Sequence, residues 1–257
     1  MVIIKFNKVA RFMEIDETTD IKHIFGKNKF KDIKKTIAII ENNPNIYNYW
    51  VKKMIVDDLK DFYDLYKEEI SKKHNAKIYN LLEIYEPQLL EWKEFYFSYL
   101  RKNNNLIAWW ISSRKTLRWK DTLAGWVKTW KDDSTLPWIL YYIEYLFFTL
   151  GLEIKVKQFS AGKDRNCYWS LWESIWLAIH KLQNHYLPYK SSDKQEFEID
   201  ESAIKTETMV FIPNPNKNNF CDKAIIRTNK NQQQIKEDFV LLEKRWIGLE
   251  IQPLFIK

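Results

Sequence analysis

Glycine is scarce in this chain, with 5 in 257 residues, and cysteine is scarcer, with 2. So little glycine excludes a collagen-like repeat and leaves no glycine-rich phosphate loop: residues 160–166 hold one glycine and lack the rest of a Walker or dinucleotide pattern. Cys167 and Cys221 show no framework spacing, which excludes a disulfide scaffold and points to a reduced, cytoplasmic setting. Long hydrophobic runs are missing too. The most apolar window, 138–152, is interrupted by Glu144 and falls short of the ~20 residues that a bilayer crossing takes. It reads as a core helix, and no transmembrane segment is expected. Charged residues follow the short apolar start of 1–11 at once, so no secretory leader is expected either.

The chain does have apolar and aromatic mass. At 46% hydrophobic and 16% aromatic residues it can bury a core, which excludes low-hydrophobicity disorder. Its net charge of +7 is unevenly placed. Residues 101–131 carry eight basic side chains against the single acid Asp121, while the other 226 residues carry 33 of each sign. Nine of the twelve tryptophans fall within 101–190, so basic charge and large π surfaces coincide.

Hydrophobic periodicity predicts short strands at 2–6 and 9–15, then helices over 30–41, 47–73 and 78–99, the last split by Pro87. Residues 106–131 are read as one or two further helices and 136–150 as another, capped by Asp132, Asp133 or Ser134 and closed by Gly151. A half-buried strand at 152–159, an aromatic helix at 168–186, a linker at 188–195, strands at 197–199, 209–212, 224–227 and 247–256, and a helix at 232–245 complete the reading. The expected class is α+β: a mostly helical N-terminal and central part packed with a small C-terminal antiparallel sheet. The expected division is a mainly helical region 1–135 and an α+β region 136–257, or one continuous domain.

No motif specifies a reaction, and a non-enzymatic role is favoured. The strongest feature is the basic, tryptophan-rich segment 101–131. Lys and Arg neutralise phosphates, and flat indoles offer stacking platforms for single-stranded bases. Arg101, Lys102, Arg114, Lys115, Arg118, Lys120, Lys128 and Lys131 are the expected contacts, with Lys163 and Arg165 as secondary ones. On a helix Arg114 and Arg118 would share a face as a phosphate stripe. Trp109 and Trp110 would point about 100° apart, so not every indole could join them. The leading expectation is an RNA- or DNA-binding protein, or a part of a nucleoprotein assembly, with another polyanion or protein subunits as possible partners.

Two alternatives accompany it. Glu153 and Lys155, on one face of the expected strand, together with Asp133, match the acid-and-lysine arrangement of restriction-endonuclease-like nucleases, which use Mg2+. The other is a non-catalytic interaction subunit whose tryptophans line a protein interface. No resident metal or other cofactor is expected. The acids Glu196, Glu198, Asp200, Glu201 and Glu207 read as a polar strand edge. His180 and His185 are five residues apart, off the spacing that aligns two ligands on a helix, and His180 stands thirteen residues from Cys167, too far for a nucleophile–base pair on one helix.

Overall fold

The computed structural model describes residues 2–72, 78–91, 93–163, 168–170, 181, 184–199, 208–213, 221–245 and 250–255. In chain order its elements are β1 (Val2–Glu14), α1 (Ile21–Phe25), α2 (Lys27–Glu41), β2 (Tyr47–Lys53), α3 (Val56–Ser71), α4 (Leu81–Leu90), β3 (Phe95–Lys102), β4 (Asn105–Leu117), β5 (Lys120–Trp130) and α5 (Ile139–Glu153). They are followed by β6 (Gln158–Lys163), β7 (Tyr168–Ser170), β8 (Leu187–Ile199), β9 (Thr208–Pro213), β10 (Cys221–Thr228), α6 (Gln232–Arg245) and β11 (Glu250–Phe255). The chain forms two compact units, Glu14–Phe159 and Met1–Met13 with Ser160–Lys257.

In the unit Glu14–Phe159 the strands β2, β3, β4 and β5 pair antiparallel in sequence order. One face of this sheet carries α3 and α4, whose Leu59, Phe62, Leu65, Tyr66, Leu81 and Tyr85 pack with Phe95, Phe97, Trp109 and Ile111. The other face carries α5, where Phe147 stacks on Trp110 with ring centres 4.1 Å apart. Adjacent tryptophans thus serve opposite faces, as successive residues of a strand must. In the other unit β1 pairs antiparallel with β8, and a second sheet runs in the order β11-β10-β9-β7, parallel only between β10 and β11.

The fold is therefore mixed α/β, and the expectation of a mostly helical body with a small C-terminal sheet is corrected. Residues 95–130 are three long strands. Central strands covered on both faces read as near-continuous apolar runs without the alternation that marks a half-exposed strand. The runs Phe95–Leu100 and Ile107–Ile111 are of this kind, and their aromatic and β-branched residues fit a pleated surface better than a helix. Asn103 and Asn104 join β3 to β4. With φ of 48° and 65° they form a two-residue type I′ hairpin turn, a conformation asparagine tolerates.

Smaller corrections follow the same logic. The helix expected over 47–73 begins as β2, and α3 starts only after Ile55, whose N–H donates to the Asp58 carboxylate at 3.1 Å. Residues 188–195, expected as a linker, belong to β8. The strand expected over 152–159 is the end of α5, a turn and the first residues of β6. Tyr168–Ser170 is a strand, and 171–180 of the expected aromatic helix lies outside the described residues.

Two glycines are fixed by close packing. β4 bulges between Trp110 and Ser112, and opposite it a Cβ on Gly125 would overlap the Trp110 indole. A Cβ on Gly151, inside α5, would overlap the Phe159 ring. Gly125→Ala is expected to lower unfolding free energy by about 1–3 kcal/mol through overpacking. Urea denaturation reads this directly, and an unchanged midpoint would contradict the close approach.

Candidate functional site

The basic segment does not form a phosphate surface. Arg101 pairs with Asp61 at 3.1 Å, Lys102 with Asp133 at 2.6 Å, Arg114 with Asp121 at 2.6 Å and Lys128 with Glu144 at 2.6 Å. Arg118 and Lys120 both reach Glu14, at 3.2 and 2.7 Å, and Lys131 reaches Glu68 at 3.1 Å. Lys115 lies 4.1 Å from the centre of the Trp126 ring. The cations that look unbalanced in sequence are met by acids from α3, α5, β1, β5 and the loop after β5. Arg114 sits within β4 and Arg118 in the turn after it, so the helical stripe does not exist. Trp109 and Trp110 are core residues. This geometry overturns the nucleic-acid reading and equally the interaction subunit with its tryptophans gathered at one interface. Lys163 ends β6, and Arg165 lies outside the described residues.

The nuclease constellation is also dispersed. Glu153 is the last residue of α5, Lys155 lies in the following turn at φ 58°, and Asp133 precedes the opposite end of α5. The 15 residues of α5 span about 22 Å, so these groups cannot share a metal. Among the described residues no group of three His, Cys, Asp or Glu side chains is placed to hold a metal ion. The strand-edge acids Glu196 and Glu198 lie on β8, opposite Lys5 and Ile3 of β1, while Asp200, Glu201, Glu207, Cys167 and His180 lie outside the described residues.

What the fold does assemble is the loop from β5 into α5. It is tied down from several elements. Lys131 N–H donates to Ile107 O at 2.8 Å, and the Thr36 hydroxyl of α2 to Pro137 O at 2.6 Å. The Asp133 carboxylate accepts from Thr135 N–H at 2.8 Å, from the Thr135 hydroxyl at 2.6 Å and from Lys102 Nζ at 2.6 Å. Lys102 also donates to Thr135 Oγ1 at 2.8 Å, and Tyr47 Oη lies 3.3 Å from the same hydroxyl. Partial burial pushes the Asp133 carboxyl up, but the hydrogen bonds from Lys102 and Thr135 outweigh it and hold it down at about 2.

At the end of this loop Trp138 adopts a left-handed backbone, φ 63° and ψ 28°, and no side chain caps α5. A bulky residue in that region is strained, and such strain clusters at functional sites. The first N–H groups of α5, at Ile139, Leu140 and Tyr141, have no intrahelical acceptors, as at any helix start. They open beside a cavity of about 700 Å3 lined by Trp130, Asp132, Leu136, Trp138 and Tyr141, among others. Trp138 is half-exposed and stacks on Tyr141, ring centres 5.4 Å apart at 19°. Lys29 Nζ from α2 lies 3.9 Å from the Tyr141 ring centre.

One turn further along α5 stands Glu144, with 2% of its side chain exposed. Lys128 of β5 donates to Oε1 at 2.6 Å, and Lys29 approaches Oε2 at 3.5 Å. Burial lowers the Lys29 pKa below the ordinary lysine range; the attraction of Glu144 offsets this only in part, and Lys128 adds to the lowering. Burial also raises the Tyr141 hydroxyl, with Glu144 adding to the shift. Sequence reading noted Glu144 only as an interruption of an apolar window and Asp132 and Asp133 only as caps or metal acids. It missed Lys29, Thr36, Tyr47, Trp138 and Tyr141, which are joined by tertiary structure alone.

No family model and no curated protein matches the chain. Among solved structures it is similar to L-PGS from Bacillus licheniformis, at 11% identity and a TM-score of 0.47, over 78% of this chain and 63% of that one. It is also similar to a conserved protein of unknown function from Bacteroides thetaiotaomicron, at 15% identity and a TM-score of 0.49, over 76% and 61%. A third is the C-terminal domain of a putative lysylphosphatidylglycerol synthetase from Agrobacterium fabrum, at 12% identity and a TM-score of 0.43, over 73% and 59%. The chain thus spans less than two thirds of each of these structures. Among the described residues no helix is long and apolar enough to cross a membrane.

Two expectations follow from the charges. Glu144→Gln leaves Lys128 and Lys29 without their shared carboxylate and is expected to cost about 3 kcal/mol in denaturant unfolding. Glu144→Gln with Lys128→Met should recover much of that loss. Asp133 is lowered in the folded state, so its contribution is full above its ordinary value of 3.8 and is lost as pH falls towards 2. Thermal melts of Asp133→Asn should therefore show a shallower loss of stability between these pH values than the parent protein, and parallel curves would contradict the assignment.

Proposed function

We propose that the protein binds a small anionic molecule with a flat or apolar body in the cavity at the start of α5. The observation that carries this reading is the convergence, on one tethered loop, of an uncapped helix N-terminus and the Trp138–Tyr141 plate. Free N–H groups and the helix dipole favour a negative group at that point. Small-ligand sites are mostly apolar with a few placed polar groups, and the lining of this open cavity is likewise mostly apolar. Asp133 does not oppose an anion, because Lys102 neutralises it. Asp132, exposed on the cavity rim, disfavours a long polyanion running across the surface while leaving room for a compact one. Anchoring of the loop by Thr36, Tyr47 and Lys102 means that little ordering is needed on binding, which favours affinity.

The test separates the two halves of the ligand. Isothermal titration with inorganic phosphate, adenosine and adenosine monophosphate should show the monophosphate binding more tightly than either fragment. Trp138→Gly suits the left-handed backbone and removes the plate, so it should weaken the monophosphate about tenfold, the scale of one lost base–aromatic stack, and leave phosphate binding unchanged. Absence of binding by all three, or equal binding by Trp138→Gly, would overturn the proposal.

A further inference from the structure

We propose that the outer edge of β2 pairs with the same edge of a second copy of this chain, antiparallel about a two-fold axis that sets Trp50 opposite Trp50 of that copy. β2 stands at the end of its sheet, with β3 as its strand neighbour on one side and no strand on the other among the described residues. Edge strands offer unpaired backbone groups to any other strand, and proteins blunt them with proline, bulges or charge. β2 contains no proline, its register with β3 runs unbroken from Tyr47 to Lys53, and its charges, Lys52 and Lys53, are confined to one end. Its middle is Tyr49, Trp50 and Val51. Trp50 is 60% exposed and Tyr49 40%, so apolar surface accompanies the open backbone.

The hydrogen bonds to β3 decide which backbone groups are open. Met54 N–H donates to Phe95 O at 3.0 Å and Asn103 N–H to Ile46 O at 2.8 Å, so the residues flanking β2, Ile46 and Met54, are both bonded towards β3. Bonded and open positions alternate along an antiparallel pair. The backbone groups of Tyr49, Val51 and Lys53 therefore point away from β3, while the outward Tyr47 N–H is taken by Asn43 O at 3.0 Å. An axis at Trp50 sets Tyr49 opposite Val51 of the second copy, each donating its N–H to the other's carbonyl. Trp50 then meets Trp50 of the second copy at a position without hydrogen bonds, where facing side chains come closest and an aromatic pair is favourable. An axis at Val51 would instead set each Trp50 against Lys52 and draw the lysines of the two copies together.

Charge placement selects a second copy as the partner. Lys52 is held by Asp58 of α3 at 2.6 Å, which puts Trp50, two residues away, on that face of the sheet. On the other face Tyr49 meets Tyr142 of α5 edge-on, ring centres 5.8 Å apart. Glu41, exposed at the end of α2, lies in this second neighbourhood: burial raises the Tyr142 hydroxyl, and Tyr49, Tyr145 and Glu41 add to the shift. No cation pairs with Glu41 among the described residues. β2 thus runs from an acid just before its start to two lysines at its end. Antiparallel pairing brings the lysine end of each copy to the Glu41 end of the other, whereas parallel pairing would set lysine against lysine. The contact is self-complementary, as a two-fold interface must be. No residue of β2 lines the cavity at α5, so this pairing is independent of ligand binding there.

Sedimentation velocity of the full chain between about 1 and 100 µM reads the association, because an interface of one strand pair is small and predicts micromolar dissociation. The parent protein should pass from monomer to dimer across that range. Val51→Pro removes an outward N–H and leaves the bonds to β3 in place, so it should weaken the dimer about tenfold while the melting midpoint stays close to the parent's. Trp50→Lys and Trp50→Glu, at an exposed position, should each sediment as folded monomers. Their equimolar mixture should associate again, because the axis sets the two opposite charges face to face. A parent that stays monomeric at about 100 µM overturns the proposal, even if β2 then takes up an extended peptide of another protein. So does a dimer that Val51→Pro and Trp50→Lys leave intact, or a mixture of Trp50→Lys with Trp50→Glu no more associated than either alone.

Discussion

A carboxylate with two lysines is the constraint on which the organisation around α5 depends. Glu144 is almost wholly removed from water, and an ion in that position is tolerable only with close counter-charge. Lys128 supplies it from β5 and Lys29 from α2, so three elements far apart in sequence must meet at one point. That meeting fixes the rotation of α5 on the sheet. Phe147 then falls on Trp110, Gly151 falls on Phe159, and the opposite end of the helix brings Tyr141 beneath Trp138.

The same logic explains why a basic segment makes no polyanion surface. β3, β4 and β5 carry an excess of positive charge, and the acids that answer it are distributed over Glu14, Asp61, Glu68, Asp133 and Glu144. Each exposed pair is worth little alone. Together they hold α3 and the loop after β5 against the sheet, and that loop becomes a rigid frame for a cavity. The positive charge of the segment is a feature of assembly, and the binding site proposed above lies instead at the helix start after that loop.

The parts of this that were legible in sequence are the ones governed by local rules. α2, α6, β9 and β10 follow from periodicity and turn residues, and the apolar window 138–152 is a core helix as expected, although the helix runs through Gly151 to Glu153. The three central strands were hidden because Trp109 and Trp110 serve opposite faces, so the pattern that marks a half-exposed strand is absent. The site was hidden for a different reason. Lys29, Thr36 and Tyr47 are unremarkable in their own neighbourhoods and, with Lys102, which sequence reading assigned to a phosphate surface, acquire this role only when α2, β2 and β3 carry them to residues 133–144. One local signal was available: Asp132, Asp133 and Ser134 announce a helix, yet α5 starts beyond Pro137 at an uncapped Trp138.

The central claim is that the first turn of α5 receives the negative group of a small ligand. Nuclear magnetic resonance of 15N-labelled protein during titration with adenosine monophosphate tests it residue by residue. The account predicts saturable shifts at the amides of Ile139, Leu140 and Tyr141, with Arg118 and Trp119 at the far hairpin tip unmoved. Shifts confined to the basic side of β4 and β5, or none at the start of α5, would contradict it.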